Sequence, residues 1–176
     1  SRLGPERFMI VGSGTAERFH LRWFEQHLPE NGVLVRPVST ERLGFALAGP
    51  RSRELLARVA NEDVSAAALP FFAIRPMDLG CAPVRVARIS FTGELGFEIY
   101  FDAAYQIAVY DALLAAGEDL GLVHFGGRAL NALRLEKSYG AWLREYTPDC
   151  TPQQAGLERF IDFDKGDFVG REAALR

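Results

Sequence analysis

A chain of 176 residues is long enough for one sizeable hydrophobic core, or for one domain and part of a second. Its 48% apolar and 24% charged residues are ordinary for a globular protein. A net charge of −3, with 20 basic residues scattered among 23 acids, leaves no basic patch for nucleic acid or an anionic membrane surface, and no apolar run reaches bilayer-spanning length.

The chain opens SRLGPERFMIV, with no signal peptide and no initiating Met, which reads as a fragment of something longer. Phe8–Val11 is a short apolar run closed by Gly12-Ser13-Gly14, predicting a strand and a turn. TAERFHLRWFEQHLP then predicts a helix with Leu21, Phe24 and Leu28 on one side, Ser13 or Thr15 as cap and Pro29 as stop. GVLVRPV predicts a further strand, so residues 6–38 read as strand–helix–strand. The glycine pair does not complete a GxGxxG fingerprint, because Glu17 stands where the third glycine belongs; an acid there serves the helix dipole without any ligand.

GFALAGP predicts strand and turn, followed by the helix RSRELLARVA. Residues 62–80 read as a short helix, a connector and a strand. VRVARISF and FEIYF flank TGELG as a hairpin. Asp102 is placed to cap AAYQIAVYDALLAAG, with Ile107, Tyr110 and Leu114 as its core stripe and Gly117 as its end. RALNALRLEKSY predicts another helix, residues 141–156 a loop, and ERFIDFDKGDFVGREAALR a strand, a turn and the start of a helix. Interspersed helices and strands with hairpin pairing imply an α+β fold with mixed or antiparallel sheets and packed helices.

Cys81 and Cys150 form no disulfide framework and suggest a reducing compartment, cytoplasm or mitochondrial matrix. His20, His27 and His124 lack zinc-ligand spacing, and DFDKGD lacks the ligand order of a calcium loop, so no metal is expected. Glu98 is the unusual residue. Phe97, Ile99 and Phe101 share one face of their strand, which leaves Glu98 on the other face with Tyr100. On that pattern alone the favoured role is a solvent-facing residue, or a partner for Arg85 or Arg88.

ISFTGELGFEIYF, FGGRALNALRLEK, TPDCTPQQAGLERFIDFDKGDFVGREAAL and FALAGPRSRELL together resemble the folate-binding aminomethyltransferase family. That family comprises the T-protein of the glycine cleavage system and the C-terminal halves of dimethylglycine and sarcosine dehydrogenases. GELGFE, LRLEKSYGAW and DFDKGDFVGREA are similar to the dehydrogenase or oxidase branch. The resemblance implies a three-lobed folate-binding fold, with residues 1 to about 40 ending one lobe and 41–176 in a second. A flavin domain is implied upstream, a β-barrel downstream, and the family's catalytic aspartate before Ser1, so no catalytic residue is expected within the chain and the fragment alone is not expected to be a competent enzyme.

The same resemblance gives Glu98 the grip on the pterin, through its two neighbouring N–H donors. Phe91 stands where relatives carry Tyr, keeping the ring and losing the hydroxyl. Leu130 stands where T-proteins carry a folate-contacting Arg, and Arg128, two places earlier, is the candidate substitute for reaching a folate carboxylate. Tyr139 is a candidate cleft wall, while Arg134 and Glu136 read as a structural ion-pair element. The implied function is the tetrahydrofolate-binding region of an oxidative N-demethylase. It would take the one-carbon unit of a methylated-amine iminium as 5,10-methylenetetrahydrofolate, with FAD bound elsewhere in the parent polypeptide. A T-protein acting on an aminomethyl-lipoyl donor, and a non-catalytic folate-binding scaffold, are the competing expectations.

Overall fold

The computed structural model describes residues 1–175. They form two compact units, Ser1–Lys137 and Ser138–Arg176. The first is built on a four-stranded antiparallel sheet of strands β3 (Arg42–Ala48), β4 (Ile74–Leu79), β5 (Ala82–Ala87) and β6 (Gly96–Asp102), in the order β3-β6-β5-β4. The fold is α+β, as the sequence implies, and every strand pair is antiparallel rather than mixed.

The register explains the apolar alternation. Phe97, Ile99 and Phe101 lie opposite Leu47, Phe45 and Leu43 of β3, while Ile99 and Phe101 lie opposite Val86 and Val84 of β5. Directly opposed residues point to the same side, so these side chains make one continuous apolar face. Helices α2 (Ser52–Val59) and α3 (Gln106–Gly117) cover it, contributing Leu55, Leu56, Val109 and Leu113 to the same core. Ile99, Phe101, Val86, Leu56 and Val109 lose all solvent exposure there. Each such burial is worth about 1.5–3 kcal/mol, which makes this face the main source of stability in the unit.

Helix α3 is entered as expected, with the Asp102 carboxylate accepting from the Ala104 N–H at 3.1 Å. Its core stripe is different. Val109, Leu113 and Gly117 are buried, whereas Ile107 is 74% exposed. QIAVYDALLAAG is apolar on almost every side, so its sequence does not fix the helix phase; packing against α2 does. Gly117 is the last residue of α3, as expected. A 3₁₀ turn continues to Leu120, and Gly121 takes the left-handed conformation at φ 71°. Gly117 is needed for close packing: a Cβ there would lie 2.6 Å from Leu122 and 2.8 Å from Leu55.

Several expected elements are absent or shorter. Strand β2 is only Arg7–Phe8, paired with β1 (Arg2–Gly4), and residues 33–38 form no strand, because no ladder partner lies beside them among the described residues. Helix α1 (Glu17–His27) forms and stops before Pro29, but neither Ser13 nor Thr15 caps it; their hydroxyls bond each other at 2.9 Å. Its stripe of Leu21, Phe24 and Leu28 is only half-buried. Residues 62–69 make turns instead of a helix, since Asp63 accepts from the Ser65 N–H at 2.7 Å and Pro70 closes the segment.

The second unit is mostly loop, as expected for 141–156, with a short helix α5 (Arg171–Ala174) at its end. The expected strand at 158–163 is a 3₁₀ turn at Glu158–Phe160 followed by irregular chain. In DFDKGD the Asp162 carboxylate accepts from the Asp164 N–H at 3.0 Å, the geometry of a turn. Among the described residues no group of His, Cys, Asp and Glu could hold a metal, and no helix is long and apolar enough to cross a membrane.

Candidate functional site

The face of the sheet opposite the core carries two ladder rows that matter. In one, Glu98 on β6 stands between Ala46 on β3 and Ala87 on β5. In the next, Tyr100 stands between Gly44 and Arg85. The neighbours on both flanks of Glu98 are small. Glu98 and Tyr100 are both half-buried.

Glu98 does neither of the things its strand pattern favours. Among the described residues it forms no ion pair with Arg85 or Arg88, and its hydrogen-bond partner is the Tyr100 hydroxyl, which donates to Oε2. The guanidinium of Arg88 is engaged elsewhere. It donates to the Gly96 carbonyl at 3.3 Å and stacks over Phe71 and Phe97 with centroid distances of 5.7 and 5.6 Å. Burial, and then the hydrogen bond to Glu98, push the Tyr100 phenol far above its ordinary value, so it remains a neutral donor at physiological pH. A carboxylate has about four acceptor positions, and one phenol fills one of them. Glu98 can therefore still receive two adjacent N–H donors from a flat ligand edge.

The TGELG turn beside this strand is internally tied. Ser90 and Thr92 hydroxyls bond at 2.7 Å, the Thr92 hydroxyl accepts from the Glu94 N–H at 3.3 Å, and Thr92 is buried. Glu94 pairs with Lys137 at 3.3 Å with both side chains substantially exposed, a contact that contributes little. Phe91 projects from the same turn at 37% exposure. Arg128 lies in the first turn of α4 (Gly127–Glu136), exposed and without a hydrogen bond or ion pair among the described residues. A cation at a helix N-terminus opposes the dipole, so helix stability does not account for it. Tyr139 belongs to the second unit, where it is 41% exposed. Of the candidate residues, Glu98 is joined by a hydrogen bond only to Tyr100, which sequence reasoning placed on the same face without giving it a role.

Arg134, read from the sequence as part of a structural ion-pair element, is buried in α4. A concavity of about 550 Å³ lies away from Glu98, beside α2 and the following turn. Its polar groups already serve the chain: Arg53 donates to the Val64 carbonyl, Asp63 accepts from Ser65, and Glu62 accepts from the Asp78 N–H. Crowding with little solvent, then the nearby Arg88 charge, lowers the Arg53 pKa. With its donors and acceptors occupied, that groove is a weaker candidate than the outer sheet face.

A family model described as the GCVT N-terminal domain matches residues 1–165. Human mitochondrial dimethylglycine dehydrogenase is 36% identical over 176 residues, an alignment covering 98% of this chain and 20% of that protein. The aminomethyltransferase of Moorella thermoacetica is 34% identical over 168 residues, covering 96% of this chain and 45% of that protein. A 4-methylaminobutanoate oxidase (formaldehyde-forming) of Paenarthrobacter nicotinovorans is 34% identical over 177 residues, covering 100% of this chain and 22% of that protein. The chain thus spans about a fifth of the dimethylglycine dehydrogenases it matches and under half of the aminomethyltransferase. Among solved structures, the heterotetrameric sarcosine oxidase from Corynebacterium sp. U-96 superposes with a TM-score of 0.51 at 20% identity, over 60% of this chain and 53% of that one. That likeness concerns the fold.

Proposed function

The chain belongs to the GCVT N-terminal domain family, and from that premise we propose that it is the tetrahydrofolate-binding region of a dimethylglycine- or sarcosine-type oxidative N-demethylase. The observation that carries the proposal is the state of Glu98: a half-buried carboxylate on a rigid strand, flanked by alanines, held by a neutral phenol and left unpaired by the nearby arginines. A pterin edge offers a ring N–H and an exocyclic amino group side by side, and a carboxylate accepts from both. In a water-poor site such a charge-assisted contact contributes about 2–3 kcal/mol. Phe91 offers an aromatic face to the ring system, and Arg128 a cation to a folate carboxylate.

Tetrahydrofolate, when bound, supplies the amine nucleophile that takes up the one-carbon unit as 5,10-methylenetetrahydrofolate. The residues of this chain bind and orient that ligand, and their packing around it keeps water from the reacting carbon. In this reading residues 1–40 and 41–176 contribute to two lobes, FAD sits elsewhere in the parent polypeptide, and the mitochondrial matrix or a bacterial cytoplasm is the compartment. The names of the dimethylglycine dehydrogenase and methylaminobutanoate oxidase relatives support the N-demethylase branch. The aminomethyltransferase match supports a second reading, a T-protein with the same folate face and a different one-carbon donor. A flavin domain in the same polypeptide decides for the first.

The test is calorimetric titration of 5-formyltetrahydrofolate into the complete polypeptide carrying this chain, with Glu98→Ala beside the unchanged protein. Loss of tenfold or more in affinity, about 1.4 kcal/mol, is expected. Equal binding by both proteins moves the pterin contact to another residue, and no binding by a folded unchanged protein overturns the folate reading.

A further inference from the structure

Glu98 can grip a flat ligand edge only if its carboxylate plane is held in one orientation. The terminal torsion of a glutamate is broad and roughly two-fold, so a strand position by itself does not hold it. Resting on the folate reading, we propose that Tyr100 and Gly44 are positioning residues: Gly44 provides the space along which the Tyr100 ring lies, and the Tyr100 hydroxyl fixes the Glu98 carboxylate.

Tyr100 and Glu98 are two residues apart on one face of β6, and the hydroxyl reaches back along the strand to donate to Oε2. For that, the ring must lean over its neighbours instead of standing off the sheet. The neighbour on β3, directly opposite Tyr100, is Gly44. A Cβ built on Gly44 would lie 3.3 Å from the ring carbon Cδ1 of Tyr100 and 3.6 Å from Cε1, so the ring edge passes over the position a side chain would occupy. Carbon atoms prefer about 3.5–4.0 Å, and a methyl group there pushes the ring aside by a few tenths of an ångström. That displacement is transmitted to the hydroxyl, and from there to the carboxylate. On the other flank Arg85 faces Tyr100 from β5 and makes no ion pair with Glu98, so the phenol holds the carboxylate without competition from a cation. One acceptor position on Oε2 is used in being held, and the others, on both oxygens, remain for the ligand.

The experiment is the same titration of 5-formyltetrahydrofolate into the complete polypeptide, now with Tyr100→Phe, Gly44→Ala and the double variant, and with melting temperature recorded for each. Tyr100→Phe keeps the ring and removes only the donor. It is expected to weaken binding about five- to tenfold, the upper end being 1.4 kcal/mol. Gly44→Ala is expected to weaken binding to a similar extent at an unchanged melting temperature. The double variant should bind no worse than the weaker single one, because with no hydroxyl left there is nothing for the added methyl to misplace. A purely structural role would instead lower the melting temperature and make the losses multiply. Wild-type affinity in Tyr100→Phe, or multiplying losses, overturns the positioning role. Should Gly44→Ala not fold, Tyr100→Phe carries the test by itself. The folate reading is judged separately: if Glu98→Ala loses binding while Tyr100→Phe does not, positioning alone fails, and if the unchanged protein binds no folate, both fail.

Discussion

The two faces of strand β6 are made from alternate residues of one heptapeptide and do different work. Phe97, Ile99 and Phe101 point into a core that two helices close, while Glu98 and Tyr100 point to the opposite face, among alanine, glycine and a lone arginine. Stability is concentrated on one side, so the other can carry an unpaired carboxylate without endangering the fold. A strand whose inward face is so well packed is also a rigid mount, and rigidity is what a carboxylate needs to meet two donors at once.

The comparison is broken most forcefully from the core side. Phe101 is fully buried with its ring 4.9 Å from that of Phe45. Phe101→Ala is expected to cost about 3–5 kcal/mol of unfolding free energy, read by urea denaturation. A cost near that of a surface substitution would mean the two faces are not energetically distinct. Glu98→Ala is the mirror experiment: it is expected to change the urea midpoint little while removing most folate affinity. A large stability loss there would make Glu98 a structural residue.

Alkaline titration sharpens the contrast further. The Tyr100 phenol has a folded-state pKa raised by burial and by Glu98. A group raised in this sense stabilises the fold fully below its unfolded pKa of about 10, and that contribution is lost as pH rises towards the folded value. Stability should therefore fall more steeply above about pH 10 in the unchanged protein than in Tyr100→Phe. Parallel curves would mean that neither burial nor Glu98 raises the Tyr100 phenol. The smallest effect is expected at Arg58, whose exposed guanidinium bonds Asp119 and Glu54 between α2 and the turn after α3. These hydrogen bonds hold the Asp119 pKa below its ordinary value, as the Arg51 bond first of all does for Glu54. Arg58→Ala should lower the melting temperature far less than Phe101→Ala, and by less still at high salt.

Local chemistry made some elements legible in advance. The β5–β6 hairpin follows from alternation around TGELG, and the start of α3 from Asp102, since each signal acts over a few residues. Elements needing a distant partner were not legible in this way. GVLVRPV has strand composition, yet a strand exists only where another backbone lies beside it. The phase of α3 likewise had no local determinant. At the site, the position of Glu98 opposite the core was readable from period two. Its freedom from Arg85 and Arg88 was not, because both arginines lie within its neighbourhood in sequence and only packing took Arg88 away to Phe71 and Phe97.

By itself, then, the sequence determined which residues alternate, where the TGELG turn and the Asp102 cap fall, and, through four motifs in order, the family. The tertiary structure decided which strands found partners, which side of α3 is buried, and that the ring of Tyr100 lies over Gly44 with its hydroxyl on Glu98. Alternation and capping are short-range effects of backbone geometry, whereas pairing, helix phase and the setting of a carboxylate depend on atoms brought together from β3, β5 and β6, whose proximity no local pattern encodes.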